Sequence, residues 1–274
     1  MSVAPPHGPL HEAVRIERSF LKPFGAVIEA TGDADVNALS PALLARWVGE
    51  FRVVVLRGFA GLCKEEFADS ARRWGPLLTW DFGEVLDLVV QERPKNYLFT
   101  TGCVPYHWDG AFAEQTPAYM FFQCLRAPLP DAGGETTFVD TTRLLDAAEP
   151  ERRAQWERVW ITYNVEKRGH FGGSFTTPLV SPHPITGRAT LRYAEPLPAE
   201  EYENPLTLDI EGIPAADHDE FLADLHERLY RGDAGYTHTW QDGDFLLIDN
   251  HAVLHRRESF HQESPRRLQR VQIL

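Results

Sequence analysis

The sequence predicts an α+β fold in which helices precede a strand-rich body with a double-stranded β-helix (jelly-roll) core. Two helical segments come early, apolar runs punctuated by proline and glycine follow, and neither internal repeats nor a low-complexity linker interrupts them. At 274 residues with 43% hydrophobic content, the chain can bury a substantial core, and β-rich folds of this length are often one domain. We therefore expect a single domain over residues 1–274, with helices flanking the core.

The first predicted elements are two helices with a strand between them. Ser40 and Pro41 open a helix that continues to Phe51, because serine is a favourable N-cap and proline fits the first helical position. Residues 52–56 (RVVVL) follow as a buried strand. A second helix is expected over about 64–74, and it stops at Gly75.

The rest of the chain is predicted to be mostly strand. One further helix is expected over 215–230, where Phe221, Leu222, Leu225 and Leu229 recur at helical spacing and would cover a sheet face. The predicted strands are 96–101, 118–125, 135–139, 159–165, 190–194, 236–240, 245–249 and 268–274.

Composition argues against several classes of protein. Lys plus Arg number 27 against 40 Asp plus Glu, and the net charge of −13 disfavours a nucleic-acid partner. Cys63, Cys103 and Cys124 lack CxxC spacing, so neither a zinc site nor a disulfide framework is indicated. The N-terminus lacks a basic segment leading into an apolar run, and no stretch is long and apolar enough to cross a bilayer. We expect a soluble cytoplasmic protein that acts on a small molecule.

The motif His107-Trp108-Asp109 is the strongest indication of chemistry. In an extended segment alternate side chains share a face, so His107 and Asp109 can bind one ion while Trp108 faces the other way. An HxD triplet alone is a weak signal. Here Pro105 precedes it and Gly110 follows it, which places it at a strand end where a loop opens, and functional groups favour such places.

A third ligand is expected from the segment DNHAVLH near the C-terminus. His251 and His255 are separated by an even number of residues, and from chemistry alone either could face the metal. Two histidines and one carboxylate on one face of an octahedral ion leave positions open for a chelating co-substrate and O2. This ligand set is typical of non-haem Fe(II) oxygenases.

Arginines downstream indicate an anion close to the metal. In SPRRLQRV, Arg266 and Arg270 have the same strand parity and Arg267 the opposite one. A guanidinium binds a carboxylate with two parallel hydrogen bonds, so Arg266 and Arg270 could hold anions in one cavity with the iron. Arg256, Arg257 and Arg267 are expected to be solvated. Thr136, in the segment GGETT, adds a hydroxyl able to donate to a carboxylate.

Together these motifs resemble the TauD/TfdA superfamily of Fe(II)- and 2-oxoglutarate-dependent dioxygenases. The segments GAVIEATG, VVVLRGF, HWDG, GGETTF and DNHAVLHRRESF through SPRRLQRV occur in the order typical of that family and cover nearly the whole chain. The resemblance implies that His107, Asp109 and His255 are the iron ligands, with His255 preferred over His251 because it occupies the DNxxxxH position. It also implies that Thr136 and Arg266 hold the distal carboxylate of 2-oxoglutarate.

By the same resemblance Arg270 lies nearer the metal and contacts the other end of 2-oxoglutarate or the substrate. A closer likeness is to the paerucumarin-type (PvcB-like) dioxygenases of isonitrile biosynthesis, in the segments WDFGEVLDLV, VPYHWDGAF and LRYAEP. It implies oxidative decarboxylation of an isocyano aromatic amino acid, derived from tyrosine or similar, to a vinyl isonitrile. One departure is visible, since Arg256 and Arg257 follow His255 where those enzymes commonly have Gly-Arg.

Substrate contacts and alternatives complete the expectations. Tyr106 and Phe112 could form an aromatic wall, although packing is the commoner role for such rings, and Arg192 or Arg270 could anchor a carboxylate. One alternative is a hydroxylase of the same superfamily that acts on a sulfonate or on a free or carrier-bound amino acid. Another is a non-catalytic β-helix protein that uses its pocket for sensing. A homo-oligomer stays open, because homologues of this type often self-associate.

Overall fold

The computed structural model describes residues 15–94, 96–168, 171–202 and 204–274. The expectation about the N-terminus falls on residues 1–14, which lie outside these ranges. The described helices are α1 (Pro41–Phe51), α2 (Lys64–Arg72), α3 (Thr141–Asp146), α4 (Pro150–Trp156) and α5 (His218–Tyr230). The described strands are β1 (Arg15–Phe20), β2 (Ala26–Ala34), β3 (Val53–Phe59), β4 (Leu86–Leu88), β5 (Val104–His107), β6 (Tyr119–Arg126), β7 (Thr136–Asp140), β8 (Trp160–Arg168), β9 (Phe171–Pro178), β10 (Val180–Pro182), β11 (Ala189–Leu191), β12 (Leu206–Glu211), β13 (Gly235–His238), β14 (Phe245–Asp249), β15 (Val253–Arg257) and β16 (Arg267–Ile273).

Two sheets that face each other form the core. The larger has the order β1-β2-β3-β14-β6-β16-β4, and the smaller has the order β13-β7-β15-β5. Phe122 and Ile248 of the larger sheet share one buried cluster with Phe138 and Val253 of the smaller sheet. Because neighbours in both sheets come from distant parts of the chain, the architecture is the double-stranded β-helix that the sequence predicts.

Helices cover the outer faces of both sheets. In β3, Val53 and Val55 face the smaller sheet, while Val54 and Leu56 pack with the buried residues of α1 and α2. This strand is buried on both faces, which explains its continuous apolar run. On the other side of the molecule, α5 packs on the outer face of the smaller sheet. None of the helices in the described ranges combines the length and hydrophobicity that a membrane span requires.

A third sheet, with the order β12-β8-β9, lies beside the smaller core sheet. Tyr163 of β8 and Leu206 of β12 belong to the same buried cluster as Tyr106 and Trp108, which flank His107. This sheet therefore approaches the segment that carries the HxD motif, and it supplies one wall of the cleft described below.

Most predicted elements are found within a few residues of their expected positions. Helix α1 begins at Pro41, where the Ser40 side chain accepts a hydrogen bond from the Leu43 amide, and strand β14 spans the predicted 245–249. The predicted strand at 190–194 is shorter, because β11 ends at Leu191. The predicted helix at 215–230 begins with a 3-10 turn before α5.

The prediction of a strand over residues 96–101 is wrong. The chain forms a 3-10 turn over Tyr97–Phe99, capped by the Asn96 side chain, which accepts a hydrogen bond from the Leu98 amide at 2.9 Å. The carbonyl groups of Leu98 and Thr100 accept hydrogen bonds from the Arg257 guanidinium. The Arg257 side chain therefore supplies the hydrogen bonds that a neighbouring strand would otherwise give to these carbonyls.

Candidate active site

Strand pairing brings the three predicted metal ligands together. In the antiparallel pair β5 and β15, His255 is the direct partner of His107, and cross-strand partners project from the same face. The two imidazole centroids are 4.2 Å apart. Asp109 lies in the turn directly after β5, and the potential ligand atoms of the three residues all lie within 4.8 Å of one another. His251, the other histidine of this segment, lies elsewhere beside Arg192.

Both imidazoles are in the form that binds metals. The His107 Nδ1–H donates to the Pro105 carbonyl at 2.8 Å, which leaves Nε2 with its lone pair, 3.6 Å from Asp109 Oδ1. Burial is the main cause of the lowered pKa of His107, and burial followed by His107 lowers the pKa of His255 to about 3. His255 is 6% exposed and its Nδ1 has no hydrogen-bond partner. Neutral histidines with unused ring nitrogens suit a divalent transition-metal ion.

The Asp109 carboxylate is held by two side chains that leave one of its oxygens facing the histidines. Its Oδ2 forms a salt bridge with Arg270 Nη1 at 2.7 Å and accepts a hydrogen bond from Gln272 Nε2 at 3.0 Å. Burial raises the pKa of Asp109, but Arg270 and the two imidazoles lower it more, so the net pKa lies below its ordinary value. The group is therefore ionised, as a metal ligand must be.

Asn250 fixes the backbone of Asp109, and sequence reasoning did not identify it. Its Oδ1 accepts from the Asp109 amide at 3.1 Å, and its Nδ2 donates to the carbonyls of Asp109 and Pro117, each at 2.9 Å. The amide thus ties the loop after β5 to the turn before β15. The only signal in the sequence is the DN pair in front of the histidines, and its partner is 141 residues away.

A narrow cavity beside the histidines contains the predicted anion-binding residues. Its lining includes His107, His255, Thr136, Arg266 and Arg270 together with apolar side chains. The Thr136 hydroxyl accepts a hydrogen bond from Trp240 Nε1 at 3.0 Å, so its own hydrogen is available to another acceptor. The cavity therefore combines apolar side chains with hydrogen-bond donors from Thr136, Arg266 and Arg270.

Arg266 is a buried cation without a carboxylate partner among the described residues. It is 5% exposed, its Nε donates to the Gly134 carbonyl at 3.2 Å, and no described acidic side chain forms a salt bridge with it. Burial, followed by the charge of Arg257, lowers its pKa to about 9. Gly134 has a φ of +87°, and a Cβ there would lie 3.0 Å from Arg266 Cδ, which explains the second glycine of GGETT. An incoming carboxylate would compensate this buried charge.

A wider cleft of about 720 Å³, including the part open to solvent, lies on the other side of His107 and Asp109. Phe112 lines it, and Arg270 lines both this cleft and the narrow cavity. The other described lining residues are Trp80, Asn96, Tyr97, Leu98, Trp108, Gly110, Ala111, Tyr163, Val165, Ala194, Leu197, Asn204, Leu206 and Gln272. The cleft is thus mostly aromatic and aliphatic, a typical lining for a small-molecule site.

Two of the predicted substrate contacts lie outside this cleft, which corrects the expectation. Tyr106 alternates with His107 on β5, so its ring faces away from the metal residues and packs 5.1 Å from the ring of Tyr230. Arg192 follows β11, and its Nη2 lies 3.2 Å from His251 Nδ1. Neither side chain lines the cleft or the narrow cavity.

Arg256 and Arg257, which follow His255, do not crowd the three candidate metal ligands. The Arg256 guanidinium stacks on the rings of Tyr106 and Tyr230, at 5.5 and 4.8 Å from their centroids, and pairs with Glu258. The expectation that Arg257 is solvated is wrong, because it is 8% exposed. Its guanidinium donates to three backbone carbonyls between residues 98 and 102, at 2.6 to 2.9 Å.

Comparisons with known proteins agree with this geometry. The family model described as taurine catabolism dioxygenase TauD, TfdA family matches residues 17–272. The 3-((Z)-2-isocyanoethenyl)-1H-indole synthase of Fischerella ambigua is 50% identical over 256 residues, which are 93% of this chain and 94% of that protein. The tyrosine isonitrile desaturase of Pseudomonas aeruginosa is 35% identical over 225 residues, which are 81% of this chain and 77% of that protein.

Two solved structures of PvcB are similar to this chain over nearly its whole length. The crystal structure of PvcB from Pseudomonas aeruginosa has a TM-score of 0.79 at 31% identity and covers 96% of this chain and 92% of PvcB. A second structure of PvcB is described as that of an Fe, alpha-ketoglutarate dependent oxygenase from an isonitrile synthetic pathway. It has a TM-score of 0.79 at 30% identity and covers 100% of this chain and 95% of that one.

Proposed function

Because the chain belongs to the taurine catabolism dioxygenase TauD, TfdA family, we propose that it is an Fe(II)- and 2-oxoglutarate-dependent dioxygenase of secondary metabolism. Its proposed substrate is an isocyano derivative of an aromatic amino acid, and its product is the corresponding vinyl isonitrile. The observation that carries the proposal is the meeting of His107, Asp109 and His255 beside the cavity that contains Arg266.

The chain's own residues would position the reacting partners. His107, His255 and Asp109 Oδ1 would hold Fe(II) on one face, while Arg266 and Thr136 would bind the distal carboxylate of 2-oxoglutarate. Bound Fe(II), with 2-oxoglutarate and O2, supplies the oxidant that removes hydrogen from the substrate.

Arg270 has two tasks in this proposal. It occupies Asp109 Oδ2, so that Oδ1 is presented to the metal, and it lines both cavities. Its Nε has no hydrogen-bond partner among the described residues, and we propose that this guanidinium also binds a carboxylate of 2-oxoglutarate or of the substrate. The apolar side chains around it exclude water, which strengthens such contacts.

The proposed reaction removes carbon dioxide and two hydrogen atoms from the isocyano acid. One hydrogen leaves the carbon next to the aromatic ring and the other leaves with the carboxyl group, which gives a double bond beside the isonitrile. 2-Oxoglutarate and O2 are converted to succinate, a second carbon dioxide and water, so that atoms and electrons balance. The required positioning places the ring-bearing carbon beside His107 and Asp109, at the end of the cleft.

The lining of the cleft supports an aromatic substrate over the sulfonate of a hydroxylase. Trp80, Tyr97, Phe112 and Tyr163 surround it, and Arg270 is the only guanidinium among its described lining residues. Aromatic rings pack favourably against such walls. The two relatives described above are named for an isocyanoethenyl indole and for tyrosine isonitrile, and both names fit this class of substrate.

The ligand assignment is tested by two histidine variants of the same segment. We expect His255→Gln to weaken Fe(II) binding by at least about 100-fold and to abolish Fe(II)-dependent succinate formation, since one of three protein bonds is lost. His251→Gln, the matched control, should retain both. Calorimetric titration with Fe(II) under anaerobic conditions measures the first effect. Loss of binding in His251→Gln, with His255→Gln intact, would reverse the assignment.

The remaining parts of the proposal concern the surroundings of the enzyme. The net charge of −13 argues against a nucleic-acid partner. Cys63, Cys103 and Cys124 are unpaired, which suits the reducing cytoplasm. We propose a cytoplasmic enzyme without a membrane partner, and self-association remains a prediction from the sequence.

A further inference from the structure

A buried amide in the wall of the substrate cleft has no hydrogen-bond partner among the described residues. Asn204 is 0% exposed and lines the cleft that also contains His107 and Asp109. Neither its Oδ1 nor its Nδ2 is hydrogen-bonded. A primary amide offers two donors and an acceptor with two lone pairs, and leaving them unmade in an apolar site destabilises the folded protein. The arrangement is therefore favourable only when something in the cleft binds the amide.

The surroundings of Asn204 are apolar on the side where the ligand would lie. Tyr163 and Val165 of β8 and Leu206 of β12 line the same cleft, and Leu206 pairs directly with Val165. Trp108 contributes a second unpartnered polar atom, because its Nε1 is buried without an acceptor. An aromatic ring fits between such side chains, and the amide of Asn204 would meet a polar group on the edge of that ring.

From this arrangement we propose that Asn204 accepts a hydrogen bond from an N–H or O–H group carried by the aromatic ring of the substrate. Asn204 thereby selects hydroxyphenyl and indole substrates against phenyl ones. The inference rests on the proposed function and specifies the substrate class for the same cleft.

An indole and a phenol can each satisfy part of the hydrogen-bonding capacity of the Asn204 amide. An indole N–H would satisfy Oδ1 of Asn204 alone. A phenol would donate to Oδ1 in the same way, and its own oxygen would stay available as an acceptor. A phenyl ring would leave both polar atoms of Asn204 unpaired, and a site built to hydrogen-bond a substrate group rejects analogues that lack it. Asn204 would thus favour a phenol or an indole over a phenyl ring. Comparing a phenol substrate with an indole substrate then shows which of the two fits the cleft better.

The test compares three isocyano acids, derived from tyrosine, tryptophan and phenylalanine, on the Fe(II)-loaded enzyme. We expect the wild-type kcat/KM for the better of the first two to exceed that for the phenylalanine derivative by at least about 100-fold. In Asn204→Leu, which keeps the size and removes the polar atoms, this ratio should fall by at least about tenfold, with the phenylalanine derivative unaffected or improved. Dissociation constants measured without O2 should change in the same direction.

Two controls separate recognition from folding. Asn164→Leu changes an amide on the opposite face of β8, where Nδ2 donates to Asp209 at 2.8 Å, and should leave the ratio unchanged. The Tm of Asn204→Leu should not fall, because an unpartnered amide is removed. If that variant fails to fold, Asn204→Ala provides the same comparison in a smaller side chain.

The outcomes distinguish this inference from the proposed function. Equal use of all three substrates by the wild type, or an equal factor of loss for all three in the variant, overturns the role of Asn204 and leaves the proposed function intact. If none of the three is bound or consumed although Fe(II) and 2-oxoglutarate bind, the proposed function fails and the role of Asn204 fails with it.

Discussion

Arg266 is buried at a cost to the free protein, and the proposed 2-oxoglutarate site would use its charge. Its guanidinium is buried, and among the described residues it donates to one carbonyl and pairs with no carboxylate. Its pKa is lowered to about 9, which reflects the cost of burying the charge. The charge is therefore available to an anionic ligand of the narrow cavity.

Replacing Arg266 should weaken 2-oxoglutarate binding far more than substrate binding. We expect Arg266→Met to raise the dissociation constant for 2-oxoglutarate by about 10- to 100-fold, because charge-assisted hydrogen bonds contribute about 1.5 to 3 kcal/mol. Anaerobic titration of each ligand measures the effect. Arg267→Met is the control, since Arg267 is half exposed and lies next in the chain. An equal loss of affinity for both ligands would indicate a folding defect instead.

His251 makes the stability of the protein depend on pH. Burial, followed by the nearby Arg192, lowers its pKa to about 4, while Asp249 opposes this and His183 adds to it. Because the ordinary pKa is higher, the unfolded chain takes up this proton first as the pH falls from about 6.5 to 4. Stability contributed by the neutral imidazole is complete above pH 6.5 and is lost over this window.

The matching prediction uses His251→Gln, which is neutral at every pH. Between pH 7 and pH 4.5 the wild type should lose up to about 3 kcal/mol more unfolding free energy than the variant. Urea unfolding at both pH values measures this, with the exposed His261→Gln as the control. Parallel pH curves for wild type and His251→Gln would contradict the prediction.

At the residue scale, the sequence predicts the candidate metal and anion-binding residues better than the residues that hold them in place. The even spacing of His107 and Asp109 and the parity of Arg266 and Arg270 follow from strand geometry alone, and the structure places these side chains around two adjoining cavities. Asn250 and Gln272 act through partners more than 100 residues away, and no local pattern reveals such contacts.

At the scale of elements, pairing of β5 with β15 determines the distance between the two imidazoles. The adjacent loop over residues 97–102 has no strand partner and is held by Arg257, which lies two residues after His255. Leu98, in that loop, lines both cavities. The same strand therefore positions a candidate metal ligand and, through Arg257, one wall of each cavity.

Removing the Arg257 guanidinium should loosen this loop. We expect Arg257→Met to increase amide hydrogen exchange across residues 97–102 and to lower the unfolding free energy by about 1 to 3 kcal/mol, because three backbone carbonyls lose their donor. KM values for both 2-oxoglutarate and substrate should rise. Arg126→Met, at an exposed surface pair with Asp242, is the control. Exchange that increases uniformly over the chain would contradict a local role.

Elements with strong local signals were predicted, and those shaped by distant contacts were not. The capping serine and proline identify α1, and continuous apolar runs identify β3 and β14. Residues 96–101 have strand-like composition, but the donor that replaces a strand partner comes from residue 257. The three-residue strand β10 carries no apolar run, and β12 was missed although Leu206, Leu208 and Ile210 alternate with polar residues.

At the scale of the whole molecule, the fold brings distant parts of the chain together at the candidate metal site. His107 and Asp109 lie in the first half of the sequence, and His255, Arg266 and Arg270 lie in its last twenty residues. The order of strands in the smaller sheet joins β5 to β15 directly. Helices, mixed sheets and relatives all agree with the α+β jelly roll, while the single-domain organisation remains a prediction.

The most direct test of the central claim is the mass and stoichiometry of the product. Wild-type enzyme with Fe(II), 2-oxoglutarate, O2 and the isocyano derivatives of tyrosine or tryptophan should form a product lighter than its substrate by CO2 and two hydrogens. One succinate should accompany each product molecule, and Asp109→Ala should form neither. A product heavier by one oxygen, or no consumption of any isocyano amino acid, would contradict the account.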